Sequence, residues 1–359
     1  MTFSNLPIFE GPVCPIPLQH EEQIVIGHGS GGRMTAELIR RIFLPYLASQ
    51  PLLAGNDFGS VNLPDGSNLK GSLAVSTDSH IVKPLFFPGG DIGRLAVCGT
   101  VNDISMSGAI PLFLTAGFIL EEGLPVETLE RVARSMQSAA AEAGIQIIAG
   151  DTKVVEKGKG DGLFINTTGI GWIPPGRHIA GDLAQPGDVV IISGTMGDHG
   201  VAVLAARGEL GFETEVQSDV APLNQMIQVL LEAAPHTHVL RDPTRGGLAT
   251  TLNEIAAQSR LSIWLDEKQI PVLPAVQSVS ELLGFDPLYI ANEGKLIVIV
   301  PPNEASAAIE ALRGHPLGKA ASIIGEVRKD SPGRVLLRTL IGGTRLLDMM
   351  AGEMLPRIC

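Results

Sequence analysis

The chain has 359 residues and carries 26 lysines and arginines against 38 aspartates and glutamates, a net charge of −12. Acidity without a basic run argues against nucleic acid and anionic membrane as partners, and a hydrophobic fraction of 45% argues against extended disorder and for two well-cored domains. The longest strongly apolar stretch, residues 110–120, is short of the about 20 residues that span a bilayer, and no basic segment followed by an apolar run opens the chain, so the expected location is the cytoplasm.

Residues 1–22, rich in proline and polar side chains, read as an irregular arm. The apolar residues 24–26 make a short strand that runs into Gly27-His28-Gly29-Ser30-Gly31-Gly32, and a helix is expected over residues 34–43. Strand, glycine loop and helix form an anion-binding arrangement, because glycines let backbone N–H groups turn toward a phosphate and the helix N-terminus adds a favourable dipole. The string satisfies GxGxxG, but a dinucleotide fold needs a second strand ending in an acid, and residues 47–55 are instead a turn punctuated by Pro and Gly. No Gly-Lys-Ser/Thr follows, which sets aside a Walker A loop. A structural turn without ligand stays open for this motif taken alone.

A buried strand over residues 73–76 delivers Thr77, Asp78, Ser79 and His80 at its C-terminal end. Asp91 is placed to cap a helix through Ile92, Leu95, Ala96 and Gly99 that carries Asn102 and Asp103 near its far end. Residues 110–120 form the next strand. A long amphipathic helix with Leu129, Val132, Met136 and Ala140 on one face then stops at Gly144, and a strand over residues 145–149 releases Gly150, Asp151, Thr152 and Lys153. This alternation of strands and helices reads as α/β or α+β. Asp78, Asp103 and Asp151 singly read as caps or turn residues, but three such carboxylates together with a glycine loop suit Mg2+ bound with nucleotide phosphates.

The turn-rich passage over residues 174–188 places a domain boundary after residue 175. Strand 189–192 enters a second glycine loop, residues 193–200, which contains His199 and leads into a helix. Residues 241–247, Arg-Asp-Pro-Thr-Arg-Gly-Gly, read as a capped, ion-paired turn before another helix, and Glu293 lies in a turn ahead of the apolar strand 296–300.

Cys14, Cys98 and Cys359 are an odd count without CxxC spacing, which supports neither a disulfide framework nor a cysteine zinc site. Cys98 falls on an apolar helical pattern and reads as core, Cys14 as incidental. Cys359 closes the chain, and taken alone a terminal cysteine reads as chance. Its thiol has an ordinary pKa of about 8.5; the adjoining α-carboxylate opposes ionisation and Arg357 offsets that, so activation falls to whatever site receives it.

The strings GHGSGG, STD, VNDISMSGA, GDTK, SGTMGDHG, RDPTRGG and ANEG, in this order and closing on PRIC, resemble the HypE family of hydrogenase maturation proteins over residues 27–359. That family is similar in fold to ATP-using enzymes that include selenophosphate synthetase, thiamine-monophosphate kinase and aminoimidazole ribonucleotide synthetase. The resemblance implies a two-domain fold, α/β plus α+β. An arm over residues 1–22 precedes an ATP-binding domain over residues 23–175 that pairs with its twin into a central β-barrel. An α+β domain over residues 176–348 and a mobile tail over residues 349–359 follow. The implied cofactors are ATP and Mg2+, with Gly29, Ser30, Gly31, Gly32, Thr77, Asp78, Asn102, Asp103 and Asp151 around the nucleotide and Asp78, Asp103 and Asp151 on the metal. Cys359, Glu293, Lys153 and His199 are the implied catalytic set, with Glu293 as base, Lys153 as a polarising cation and His199 as a further candidate.

The same resemblance implies a reaction. A HypF-type carbamoyltransferase places a carbamoyl group on Cys359, ATP-dependent dehydration converts it to a thiocyanate, and the cyanide passes to iron held by HypC and HypD for the nickel-iron centre. The implied working unit is a homodimer. Another ATP-dependent small-molecule kinase or synthetase of the superfamily is the alternative activity, and a nucleotide-binding scaffold is the alternative from a different class.

Overall fold

The computed structural model describes residues 32–47, 49, 53–62, 70–208, 214–349 and 358. Cys14, Gly29, Ser30, Gly31 and Cys359, like the anticipated strand 24–26, lie outside the described residues.

Helix α1 (Arg33–Leu38) follows Gly32 and continues through a wider-wound turn over Ile39–Phe43 into α2 (Leu44–Leu47). The first half then contributes β1 (Gly59–Asn62), β2 (Ser72–His80), the short pair β3 (Phe86–Phe87) and β4 (Gly90–Asp91), α3 (Ile92–Ser105), β5 (Ile110–Glu121), α4 (Val126–Ala143), β6 (Gln146–Val155) and β7 (Leu163–Ile173). Five of these strands form a sheet in the order β1-β2-β7-β5-β6. All its pairings are antiparallel except β5 with β6, which run parallel because α4 carries the chain back between them.

Helix α3 is nearly apolar all round, so it is buried on every side. Asp91 caps it, accepting the amides of Gly93 at 2.8 Å and Arg94 at 3.1 Å. It lies on β2 and β7 and against α4. The close approach depends on Gly169 of β7, where a Cβ would meet Ile104 at 2.2 Å. Cys98 sits within this packing, its thiol pushed up to about 12 by burial.

The second half adds β8 (Val189–Ile192), α5 (Asp198–Ala206), α6 (Asn224–Ala233), β9 (Val239–Arg241), α7 (Gly247–Ser259), β10 (Ser262–Asp266), α8 (Pro274–Leu283), β11 (Ile297–Val300), α9 (Ala305–Gly314), β12 (Ser322–Arg328), β13 (Val335–Arg338) and β14 (Thr344–Leu347). Its seven strands are ordered β14-β13-β10-β12-β8-β11-β9. The continuous apolar runs of β8 and β11 are those of strands covered on both faces. Ile191, Val298 and Val300 join the large core shared with the first half, while Val190, Ile192, Ile297 and Ile299 pack with Leu248, Leu252 and Ile255 of α7.

Two strands extend past their anticipated ends. β2 runs on through His80 and β6 through Val155, so Asp78, Asp151 and Lys153 stand within strands and not in loops after them. Each extension is held by a neighbour: β7 pairs with β2 as far as His80, and β5 with β6 as far as Val155. The five-stranded sheet of the single chain is open, with β1 and β6 as its edges, and is not the closed barrel anticipated for a pair of chains.

Candidate active site

Period-two alternation puts Ser76, Asp78 and His80 on one face of β2, the face covered by α3. There Ser76 Oγ donates to Asp103 at 2.7 Å, and His80 Nε2 stands 3.5 Å from Asp78. The residues after β9 bring further charge to the same place. Burial and the charges of Asp242, Asp78 and Asp57 hold the Asp103 carboxyl well above its usual range. Burial and Asp57 push Asp242 up to about 8. Asp57 itself, buried and beside Arg241, rises to about 6. Arg241 is bound between Asp57 and Glu254, each at 2.5 Å, which anchors the segment before β1 to α7.

Glu293 completes this acidic group. It is 4% exposed, and its Oε1 has no hydrogen-bond partner among the described residues. Burial and then the charges of Asp242, Asp78 and Asp219 raise its carboxyl well above the ordinary value, with Arg245 opposing. Its main chain, by contrast, is fully held. Asp219 accepts the amides of Glu293 and Gly294, Asn102 Nδ2 donates to the Glu293 carbonyl at 3.3 Å, and Asn292 Oδ1 accepts the Gly197 amide at 2.7 Å. Lys295 balances Asp219 at 3.3 Å and Asp198 at 3.4 Å. The arrangement presents an unpaired carboxyl oxygen on a rigid backbone, suited to accepting a proton in a site that excludes water.

The other anticipated residues are distributed unevenly. Asp78, Asp103 and Glu293 share one electrostatic environment. Thr77 faces the opposite side of β2 from Asp78 and bonds to Thr167 and Thr168. Asn102 spends its amide on the Ala221 and Glu293 carbonyls and the Leu223 amide, so it positions a loop. Asp151 and Lys153 pair with each other at 2.6 Å, largely exposed, on edge strand β6. The register Ser79–Asn166–Gly117–Asp151 places three strand spacings, about 14 Å along the sheet, between Asp151 and the Asp78 region. Within one chain the three aspartates are therefore not gathered, and no group of three or more His, Cys, Asp or Glu is poised to hold a metal among the described residues. His199 is buried with both ring nitrogens engaged, one by Ser218 and one by the Ile358 carbonyl.

Asp57 and Asp219 did not stand out in the sequence. Asp242 and Arg245 lie in the RDPTRGG turn, whose charge in an otherwise apolar setting was the available signal. Asp219 lies in a loop with no motif, and its role arises from tertiary contact alone.

Compared with known proteins, residues 55–173 match the family described as AIR synthase related protein, N-terminal domain, and residues 185–338 its C-terminal domain counterpart. The chain is similar to carbamoyl dehydratase HypE of Cupriavidus necator, 53% identical over 337 residues that cover 94% of this chain and 95% of that protein. Among solved structures it is similar to one of a HypE-HypF complex, with a TM-score of 0.81 at 50% identity over 87% of this chain and 99% of that one. It is likewise similar to hydrogenase maturation protein HypE in complex with ATP, with a TM-score of 0.78 at 50% identity over 94% and 100% of the two chains.

Proposed function

The chain belongs to the HypE family of carbamoyl dehydratases, and on that footing we propose that it uses ATP to dehydrate an S-carbamoyl group on its own Cys359 to a thiocyanate during nickel-iron hydrogenase maturation. The observation that carries this reading is Glu293, a buried carboxyl with an oxygen unpartnered among the described residues, on a fully braced backbone. Hydroxide leaves very poorly from an amide-like carbon. Transfer of the γ-phosphoryl group to the carbamoyl oxygen turns that oxygen into a phosphate leaving group. Loss of one N–H proton gives the C=N bond, and loss of the second as phosphate departs gives C≡N. Glu293 takes a proton at Oε1. A carboxyl whose pKa is raised by burial is a stronger base once ionised, and Arg245 supplies the charge that favours the ionised form.

Asp78 and Asp103 fit a hard divalent cation: their donors are all oxygen, and the crowded acids around Asp103 lack enough positive charge of their own. Mg2+ there would neutralise the nucleotide phosphates as the phosphoryl group moves. Asp151 and Lys153 reach this site from a second copy of the chain. β6 is an exposed edge, and pairing it with the twin closes the sheet into a barrel and carries both residues across. We divide the chain accordingly, with residues 23–175 as the ATP-binding and dimerising domain and 176–348 as the α+β domain.

The relative solved as a HypE-HypF complex supports a HypF-type carbamoyltransferase as the donor; HypC and HypD receive the cyanide in this reading. No described helix is long and apolar enough to cross a membrane, which accords with work in the cytoplasm. A kinase acting on a free small molecule would leave the terminal cysteine without a part in the reaction. The decisive experiment is mass analysis of carbamoylated protein given Mg-ATP. The C-terminal peptide should lose the mass of one water, and Cys359→Ala should abolish the change. Modification on Cys14 or Cys98 would overturn the assignment.

A further inference from the structure

Ile358 is seated in the large core at 3% exposure and makes an antiparallel bridge with Val82, just beyond β2. Its carbonyl lies 2.6 Å from His199 Nε2. A carbonyl only accepts, so Nε2 carries the imidazole hydrogen, and Nδ1 must accept from Ser218 Oγ at 2.8 Å. Ser218 Oγ accepts in turn from the Val220 amide at 3.2 Å, which leaves its hydrogen free to point at the ring. The ring is held edge-on against Phe87, with centroids 5.5 Å apart. Every donor and acceptor along this line has one consistent assignment.

We propose that His199, set by Ser218, is a positioning residue that latches the end of the chain by donating to the Ile358 carbonyl, with the Ile358 side chain as the anchor. The proposal rests on the reading of Cys359 as the carbamoyl acceptor and adds how that residue is presented. Cys359 is the next residue in the chain, so fixing the carbonyl and the side chain of Ile358 removes most of the freedom of the group to be dehydrated. The latch also adjoins the base. Ser218 holds His199 while the neighbouring Asp219 holds the Glu293 amide, so a single dipeptide sets the chain end and the proton acceptor relative to each other. His199 thus serves through geometry, and its two engaged nitrogens leave none for proton transfer with substrate.

The specificity that follows is for an aliphatic residue before the terminal cysteine. A polar side chain at position 358 would be buried against Val82 without a partner.

The test uses full-length protein in a Cys14→Ser background, so that Cys359 is the one thiol besides the buried Cys98, and reads two rates: maleimide alkylation of the unmodified thiol, and ATP-dependent dehydration after carbamoylation. His199→Phe keeps the ring packing and loses both nitrogens. Alkylation should rise about tenfold and dehydration should fall by a similar factor, with ATP affinity unchanged. His199→Gln, whose amide can still donate to the Ile358 carbonyl, should recover most of both. Ile358→Ala should behave like His199→Phe, and because it alters only the chain end it decides the matter if His199→Phe fails to fold. Wild-type alkylation and dehydration rates in Ile358→Ala would overturn the latch. Faster alkylation in the variants, in a protein that never dehydrates its tail, would uphold the latch and remove the functional reading instead.

Discussion

The Asp219 carboxylate accepts the Glu293 backbone amide at 3.0 Å, so Glu293 is fixed by its main chain while its carboxyl Oε1 has no hydrogen-bond partner among the described residues. That carboxylate also takes the Gly294 amide at 3.2 Å and faces Lys295. Gly294 makes the closeness possible, since a Cβ there would meet the Asp219 carbonyl oxygen at 1.8 Å. Asp219→Asn keeps the shape and removes the charge. It should cost about 3 kcal/mol, because Lys295 loses one of its two buried partners. Dehydration should slow with ATP affinity preserved. Thermal melting and single-turnover rates check this, and an unaltered rate would show that Glu293 needs no such brace.

Glu293→Gln should bind ATP and accept the carbamoyl group, then stall before water is lost. The neutral amide is a poor proton acceptor, and removal of a general base lowers the rate on the order of a hundredfold or more. Accumulation of carbamoylated protein in the presence of Mg-ATP, read by intact mass, is the expected signature.

Nucleotide-free protein should lose stability as pH rises above about 7. Asp103, Asp242 and Glu293 hold protons more tightly folded than unfolded, with Asp242 near 8. Unfolding therefore releases protons in this window, and stability falls as pH climbs toward the folded values. The buried His80 and His199, whose pKa values are lowered by burial, act in the opposite sense only at the low end of this range, where unfolded imidazoles finish losing their protons, and Cys98, raised by burial, adds to the fall toward pH 9. Melting temperature between about pH 7 and pH 9 should descend less steeply in Asp242→Asn, and Mg-ATP should flatten it in the wild type. A wild-type curve that climbs through this range would contradict the acid cluster.

Asp78→Asn and Asp151→Asn should each lose Mg-dependent ATP turnover when pure. If the two residues meet across a pair of chains, mixing and re-equilibrating the variants creates hybrid dimers with one intact site, and roughly a quarter of wild-type activity should return. Sedimentation should give twice the chain mass. Mixtures as inactive as their parents would place both residues in one subunit's site.

Much of this was legible beforehand for identifiable reasons. β8 matched residues 189–192 because a doubly covered strand has to be an unbroken apolar run, and α4 stopped at Gly144 because the φ of +72 there favours glycine. Asp78 and Asp103 stand out in the sequence because each borders a strongly apolar element, and the fold brings the two close enough to raise the Asp103 carboxyl. Asp151 stands out in the same way, but its separation from Asp78 depends on strand order, which no local pattern encodes. The ends of β2 and β6 extend further than the sequence suggests for a related reason: Asp78, Gly150, Asp151 and Lys153 have weak strand preference, and pairing with β7 and β5 overrides it. Ser218 and Asp219 carry no signature at all, since their importance is conferred by residues 19 and 74 positions away.

Cys98 on α3 has one further bearing on the chemistry. A thiocyanate is vulnerable to any thiolate that reaches it: attack on its sulfur closes a disulfide and expels free cyanide. Cys98 stands near enough to Glu293 to sense its charge, yet burial keeps its thiol at about 12 and therefore protonated. The protein thus carries a toxic cargo on one sulfur while its core sulfur is chemically insulated, and leakage through that route is closed by the dryness of the packing around it.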